Sequence, residues 1–130
     1  MRYNIAMNRD EIFFYVSELE GSRIDYPFEE DFQTACFRHV ENKKWFGLWL
    51  AVPKRFWGEG EGVDFCLNLK CPTDLAVILS KTYRGITAAY HMNKNHWITV
   101  RVSSDVPESE IKQLISLSYA CTLQSAKRKL

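Results

Sequence analysis

Apolar residues return at helical spacing near the start of the chain, at Ile12, Val16 and Leu19 with Phe13 beside them. Asn8 followed by Glu11 has the form of a capping box, in which each residue satisfies the other's free amide. Gly21 is the residue type that ends helices in the left-handed region. This pattern predicts a helix over 9–20. The next stretch holds Tyr26-Pro27-Phe28 and the acidic run Glu29-Glu30-Asp31. It follows neither period and is expected to be an irregular connection with its carboxylates solvated. Three strands are predicted next. The segment 34–40 is short and alternating, 44–52 is apolar on both sides, and 63–70 alternates cleanly. Asn42 and Lys43 suit a tight hairpin turn, and Gly58, Gly60 and Gly62 loosen the longer connection 53–62. Cys71-Pro72-Thr73-Asp74 opens a second helix carried by Leu75, Ile78 and Leu79, with Gly85 at its end. Strands over 86–92 and 97–102 flank the turn residues Asn93-Lys94-Asn95. Ser104 or Asp105 is expected to cap a third helix. Its buried stripe is Ile111, Leu114, Ile115, Ser118 and Thr122.

The predicted order is helix, three strands, helix, two strands, helix. Short connections favour an antiparallel five-stranded sheet, and a two-layer α+β domain with all helices on one face buries every helical stripe. The other face of the sheet is then largely open. Alternation sorts residues onto the two faces. Ile98, Val100 and Val102 should face the helices, with Trp97, Thr99 and Arg101 facing away and joined there by Cys66 and Asn68. In the second strand, Phe46, Leu48, Leu50 and Val52 make the better core set, which places Trp45 and Trp49 outside. A one-residue bulge would reverse that assignment.

The chain of 130 residues is expected to be one domain, 1–130. Its net charge of +1 excludes a strongly basic protein with general affinity for nucleic acid and leaves room only for local patches. Lys127, Arg128 and Lys129 at the end of the last helix suit the helix dipole and solubility. The cysteines Cys36, Cys66, Cys71 and Cys121 form no Cys-x-x-Cys pair and read as reduced thiols of a cytoplasmic protein. No apolar leader is visible in 1–8. The apolar run 45–52 is far short of the roughly 20 residues a spanning helix needs, so no membrane partner is expected.

Catalytic chemistry finds little support. Cys66-x4-Cys71 and His91-x4-His96 supply four zinc-type ligands, but structural zinc uses tighter cysteine pairs, and the two cysteines fall on different elements. A cysteine nucleophile served by His39, His91 or His96 lacks any local sign of thiol activation, and buried apolar roles are commoner for free cysteine. The glycines at 58, 60 and 62 lack the lysine and helix of a phosphate loop. No metal, no cofactor and no catalytic residue is expected. His39 reads as a packed or edge residue.

The block Gly85-Ile-Thr-Ala-Ala-Tyr-His-Met-Asn-Lys-Asn-His-Trp-Ile-Thr-Val-Arg101 resembles the signature of the MmcQ/YjbR family of small bacterial proteins. Tyr26-Pro27-Phe28, Leu69-Lys70-Cys71-Pro72 and Leu114-Ile-Ser-Leu-Ser-Tyr119 match in the same order, so the resemblance covers nearly the whole chain. It implies a helix, three-strand, helix, two-strand, helix domain with a fold similar to type III secretion chaperones. It also implies DNA binding through a double-wing arrangement, and it supplies no catalytic residue. The loop 53–62, with its Lys-Arg-Phe-Trp content, departs from the family's pattern.

The leading expectation is a non-enzymatic binding protein with DNA as its partner. Lys94, His96, Trp97 and Arg101 on the outer sheet face, with Lys54 and Arg55 on the 53–62 wing, are the expected contacts. Aromatic rings there would stack bases while cations neutralise phosphates. Glu59 and Glu61 oppose that role for the wing. In the second reading the outer face is covered by the 53–62 loop or pairs with another protomer as a homodimer or partner-binding module. A third places a small-molecule or enzymatic site near His91 and His96.

Overall fold

The computed structural model describes residues 7–127, with side chains to Leu123. The expectations for the leader region 1–6 and for the basic residues Lys127, Arg128 and Lys129 concern side chains outside those described. The first helix, α1, spans Arg9–Ser17 and opens on the expected capping box between Asn8 and Glu11. It is shorter than its apolar period suggests. Gly21, with φ of 72°, turns the chain directly into a strand, β1, over Ser22–Asp25. The remaining elements are β2 (Ala35–His39), β3 (Trp45–Pro53), a 3-10 turn over Lys54–Trp57, β4 (Val63–Lys70), α2 (Thr73–Thr82), β5 (Ile86–Ala88), β6 (Trp97–Arg101) and α3 (Glu108–Lys127).

The strands form one six-stranded sheet in the order β1-β2-β3-β4-β6-β5 with every neighbour antiparallel. The α+β architecture is as expected, with one strand more. The extra strand, Ser-Arg-Ile-Asp, has no apolar alternation to reveal it. It is specified by backbone pairing with β2 and by Asp25, whose carboxylate binds Arg23 and Arg38.

The three helices pack on one face of the sheet, where Ile12, Val16, Leu79, Ile111, Leu114 and Ile115 meet Phe37, Leu67, Leu69, Ile98 and Val100. The α3 stripe is buried as its spacing predicts, including Ser118 and Thr122. Its cap differs. The Asp105 carboxylate instead accepts the amides of Arg84 and Gly85, tying the end of α2 to the approach of α3.

The facing of β3 is corrected by a bulge. Phe37 pairs with Gly47 and Arg38 with Trp45, which leaves Phe46 unpaired between them. Phe46 and Trp49 therefore both lie in the helix-side core, while Leu48, Leu50 and Val52 face the other way. Trp49 stacks flat on Phe65, with centroids 5.3 Å apart. Gly47 sits where a Cβ would fall 2.7 Å from the Phe37 ring, so the bulge needs glycine at that point. The Phe46 carbonyl, displaced from the ladder, accepts from Ser118 Oγ at 2.5 Å, and Ser118 Oγ in turn accepts the Lys70 amide at 2.9 Å.

The outer face is not open. Cys36, Leu48, Leu50, Val52 and Cys66 form a second, smaller core there, covered by Trp45, Trp57, Tyr90 and Met92. Trp45 opens β3 itself, Trp57 comes from the connection after β3, and Tyr90 and Met92 come from residues after β5. That strand ends at Ala88 rather than continuing to Met92, because the chain leaves the sheet edge to cross its outer face.

Candidate nucleic-acid interface

The segment that crosses the face is held by a closed polar ring. Thr99 Oγ1 accepts the Tyr90 amide at 2.9 Å and donates to Asn68 Oδ1 at 2.6 Å, and Asn68 Nδ2 donates to the Tyr90 carbonyl at 2.9 Å. Asn68 and Thr99 are fully buried, and strand alternation puts both on the outer side, as their sequence positions predict. A polar pair there is unfavourable unless satisfied, and the crossing backbone satisfies it. His91 follows in the left-handed region, with φ of 62°. The turn 93–96 is then fixed by its own asparagines. The Asn93 carbonyl accepts the amides of His96 and Trp97, Asn93 Oδ1 accepts the amide of Asn95, and the Asn95 carbonyl accepts from Thr73.

This hairpin is free of carboxylates: from Arg84 to Ser104 the chain contains no Asp or Glu. Lys94 and His96 are exposed. Lys94 Nζ donates to the Ala89 carbonyl at 3.0 Å, which folds the cation back over its own turn. Trp97 is half-buried, with the Lys70 ammonium 6.0 Å from its ring centroid.

Arg101, at the other end of β6, has its partners within the protein. Its guanidinium donates to both Glu59 carboxylate oxygens at 2.8 Å and to Asp64 at 2.5 Å. It also lies 3.9 Å over the Trp57 ring. The hydrogen bonds it donates to Glu59 hold the guanidinium even more firmly protonated than usual, and the same contact lowers the Glu59 carboxyl below its ordinary range. The glutamate that reads in sequence as an obstacle to phosphate is thus the group that fastens its loop to β6. Trp57, Glu59 and Asp64 were the residues sequence reasoning did not assign to this job. The alternation of β4 and β6, which pairs Cys66 with Arg101, is the signal that brings Asp64 near.

The expected contacts therefore fall into two groups. Lys54 and Arg55 ride on the 3-10 turn anchored by Arg101, and Lys94, His96 and Trp97 lie at the opposite end of β6, about 13 Å away along the strand. The two loops touch: the Phe56 ring meets Tyr90 at 5.0 Å, edge to face. Lys54 and Arg55 form no ion pair among the described residues.

The alternative chemistries do not converge. Cys66 belongs to the outer core and Cys71 to the helix-side core, whereas His91 and His96 are exposed. No group of three metal-type ligands comes together among the described residues. Burial pushes the Cys36 and Cys66 thiols up to about 12 and Cys71 to about 11, the opposite of nucleophile activation.

Fold and site together define a small α+β protein whose antiparallel sheet carries two touching loops on its outer face. The chain belongs to the YjbR family, whose model matches residues 17–121. It is 39% identical over 117 residues to Uncharacterized protein YyaQ of Bacillus subtilis, covering 89% of this chain and 98% of that one. A crystal structure of a protein from Pseudomonas syringae superposes with a TM-score of 0.80 at 36% identity, covering 86% of this chain and 96% of the other. The Deinococcus radiodurans protein DR2400, with a domain described as DUF419, shares the fold at a TM-score of 0.69 and 22% identity, over 92% of this chain and 80% of that one. No helix among the described residues is long and apolar enough to cross a membrane.

Proposed function

We propose that this is a non-enzymatic, cytoplasmic DNA-binding protein that contacts its ligand with the two loops on the outer sheet face. The observation that carries the reading is the acid-free hairpin 84–104, which presents Lys94 and His96 beside the partly exposed Trp97 ring. A cation next to an accessible ring serves both halves of a nucleic-acid strand, phosphate and base. Lys54 and Arg55 extend the contact from the neighbouring loop. Arg101 acts as the anchor of that loop rather than as a direct phosphate contact. With a net charge of +1, binding is modest and strongly salt-dependent. Fluorescence anisotropy with labelled duplex and single-stranded DNA at low salt tests it: saturable binding weakened by Lys94→Ala supports the reading, and no binding to either form refutes it.

A second reading, homodimerisation, is favoured by one feature. Val77, 49% exposed on α2, lines the same shallow groove as Trp97 and Lys94. Light scattering distinguishes the two, since a stable dimer broken by Val77→Asp supports the contact and a strict monomer excludes it.

A further inference from the structure

We infer that a second groove on the outer face is a binding site for a compact organic cation of the alkylated-ammonium class. The groove has a volume of about 430 Å³, within the range of about 300–1,000 Å³ usual for small-molecule sites. It lies between the acidic run 29–31, which the nucleic-acid reading leaves unused, and the crossing segment 90–92. Phe28 and Trp45 form one corner, their rings perpendicular at 88° with centroids 6.3 Å apart. Tyr90, Met92 and Leu50 line the groove as well.

The charge on the lining is one-sided. Asp31 faces the groove, and no lysine or arginine lines it. A hydrogen bond from the Thr34 hydroxyl, with the amides of Gln33 and Thr34, lowers the Asp31 carboxyl and keeps it ionised at neutral pH. Glu29 and Glu30 are exposed in the same turn and add to the negative field. His91 is the other titratable group on the lining. A neutral apolar ligand would use the rings alone, and an anion would meet Asp31. A cation surrounded by alkyl groups uses both, through attraction to the ring faces and to the carboxylate without needing to displace its hydrogen bonds.

The test is a titration of the full chain with choline chloride at neutral pH, followed by the amide signals of Asp31 and Tyr90 and the Trp45 indole N–H in NMR. Sodium chloride at equal concentration corrects for ionic strength, and 3,3-dimethylbutan-1-ol serves as the uncharged isostere. Saturable shifts at all three signals are expected, with the alcohol about tenfold weaker. Asp31→Asn, at an exposed position that keeps an acceptor for the turn, should weaken choline several-fold. Absence of saturable shifts, equal affinity for the alcohol, or an unchanged affinity in Asp31→Asn would each overturn the assignment. Choline carries no phosphate, so this outcome is independent of the DNA titration.

Discussion

Thr99 Oγ1 donates to Asn68 Oδ1 at 2.6 Å across the β4–β6 pair, and both residues are completely buried on the outer side of the sheet. The bond matters because it leaves each side chain positioned to bind one backbone group of Tyr90. The family signature thus contributes one member of a lock, Thr99, and β4 contributes the other.

Replacing Thr99 by valine keeps the shape and removes the hydroxyl. The Tyr90 amide and Asn68 Oδ1 lose their partner, at a cost of about 1–3 kcal/mol for each buried group left unsatisfied. Urea unfolding should show Thr99→Val destabilised by about 2 kcal/mol or more and Thr99→Ser close to the parent. Equal stability of the valine variant would show that the ring of bonds does not hold the segment.

Ser118 performs the corresponding task on the helix side by serving both the bulge carbonyl of Phe46 and the amide of Lys70. Ser118→Ala should cost about 2–4 kcal/mol, more than a helix-surface serine to alanine change, because two buried backbone groups lose their partner. The denaturation midpoint measures it.

Arg101→Ala should release the 54–62 loop without unfolding the sheet. Amide hydrogen exchange over that loop is expected to accelerate by at least about tenfold, while β4 and β6 amides change far less. Arg101→Lys should restore little, since a lysine cannot bind the Glu59 carboxylate with two parallel hydrogen bonds.

His39 gives the fold an acid limit. It is 1% exposed between the rings of Phe46 and Tyr119 and bonds Thr122 at 2.7 Å. Burial lowers its pKa below the ordinary 6.5. The folded state then binds a proton less readily than the unfolded chain, so the stability tied to the neutral ring is complete above pH 6.5 and is lost as pH falls toward the lowered value. Thermal melts should show a drop on acidification below about pH 6.5 that is smaller in His39→Gln.

Much of this was legible in the sequence. Apolar period locates α1, α2 and α3, the capping box fixes the start of α1, and the alternation of 63–70 assigns Cys66 and Asn68 to the outer side. The signals that failed were those written in backbone pairing rather than in side-chain pattern. β1 has one apolar residue, Ile24, and exists because β2 offers it an edge. The bulge at Phe46 adds a residue without changing the apolar character of β3, so Trp49 read as outer although it packs inside. The same limit applied to the site. Lys54, Arg55, Lys94, His96, Trp97 and Arg101 stand out in the sequence by residue type, but only the fold shows Arg101 engaged by Glu59 and Asp64. It also decides for the covered outer face, an alternative already open in the sequence for the 53–62 loop, and adds the segment 90–92 to the cover.

The salt dependence of DNA binding is the most direct test of whether the two outer-face loops contact phosphate. Anisotropy titrations across a range of salt should give a log–log slope of about −2 to −4, as expected for a few phosphate contacts. Lys94→Ala and Arg55→Ala should each reduce the slope by about one. Absence of binding at low salt, or a slope unaltered by both substitutions, would contradict the account.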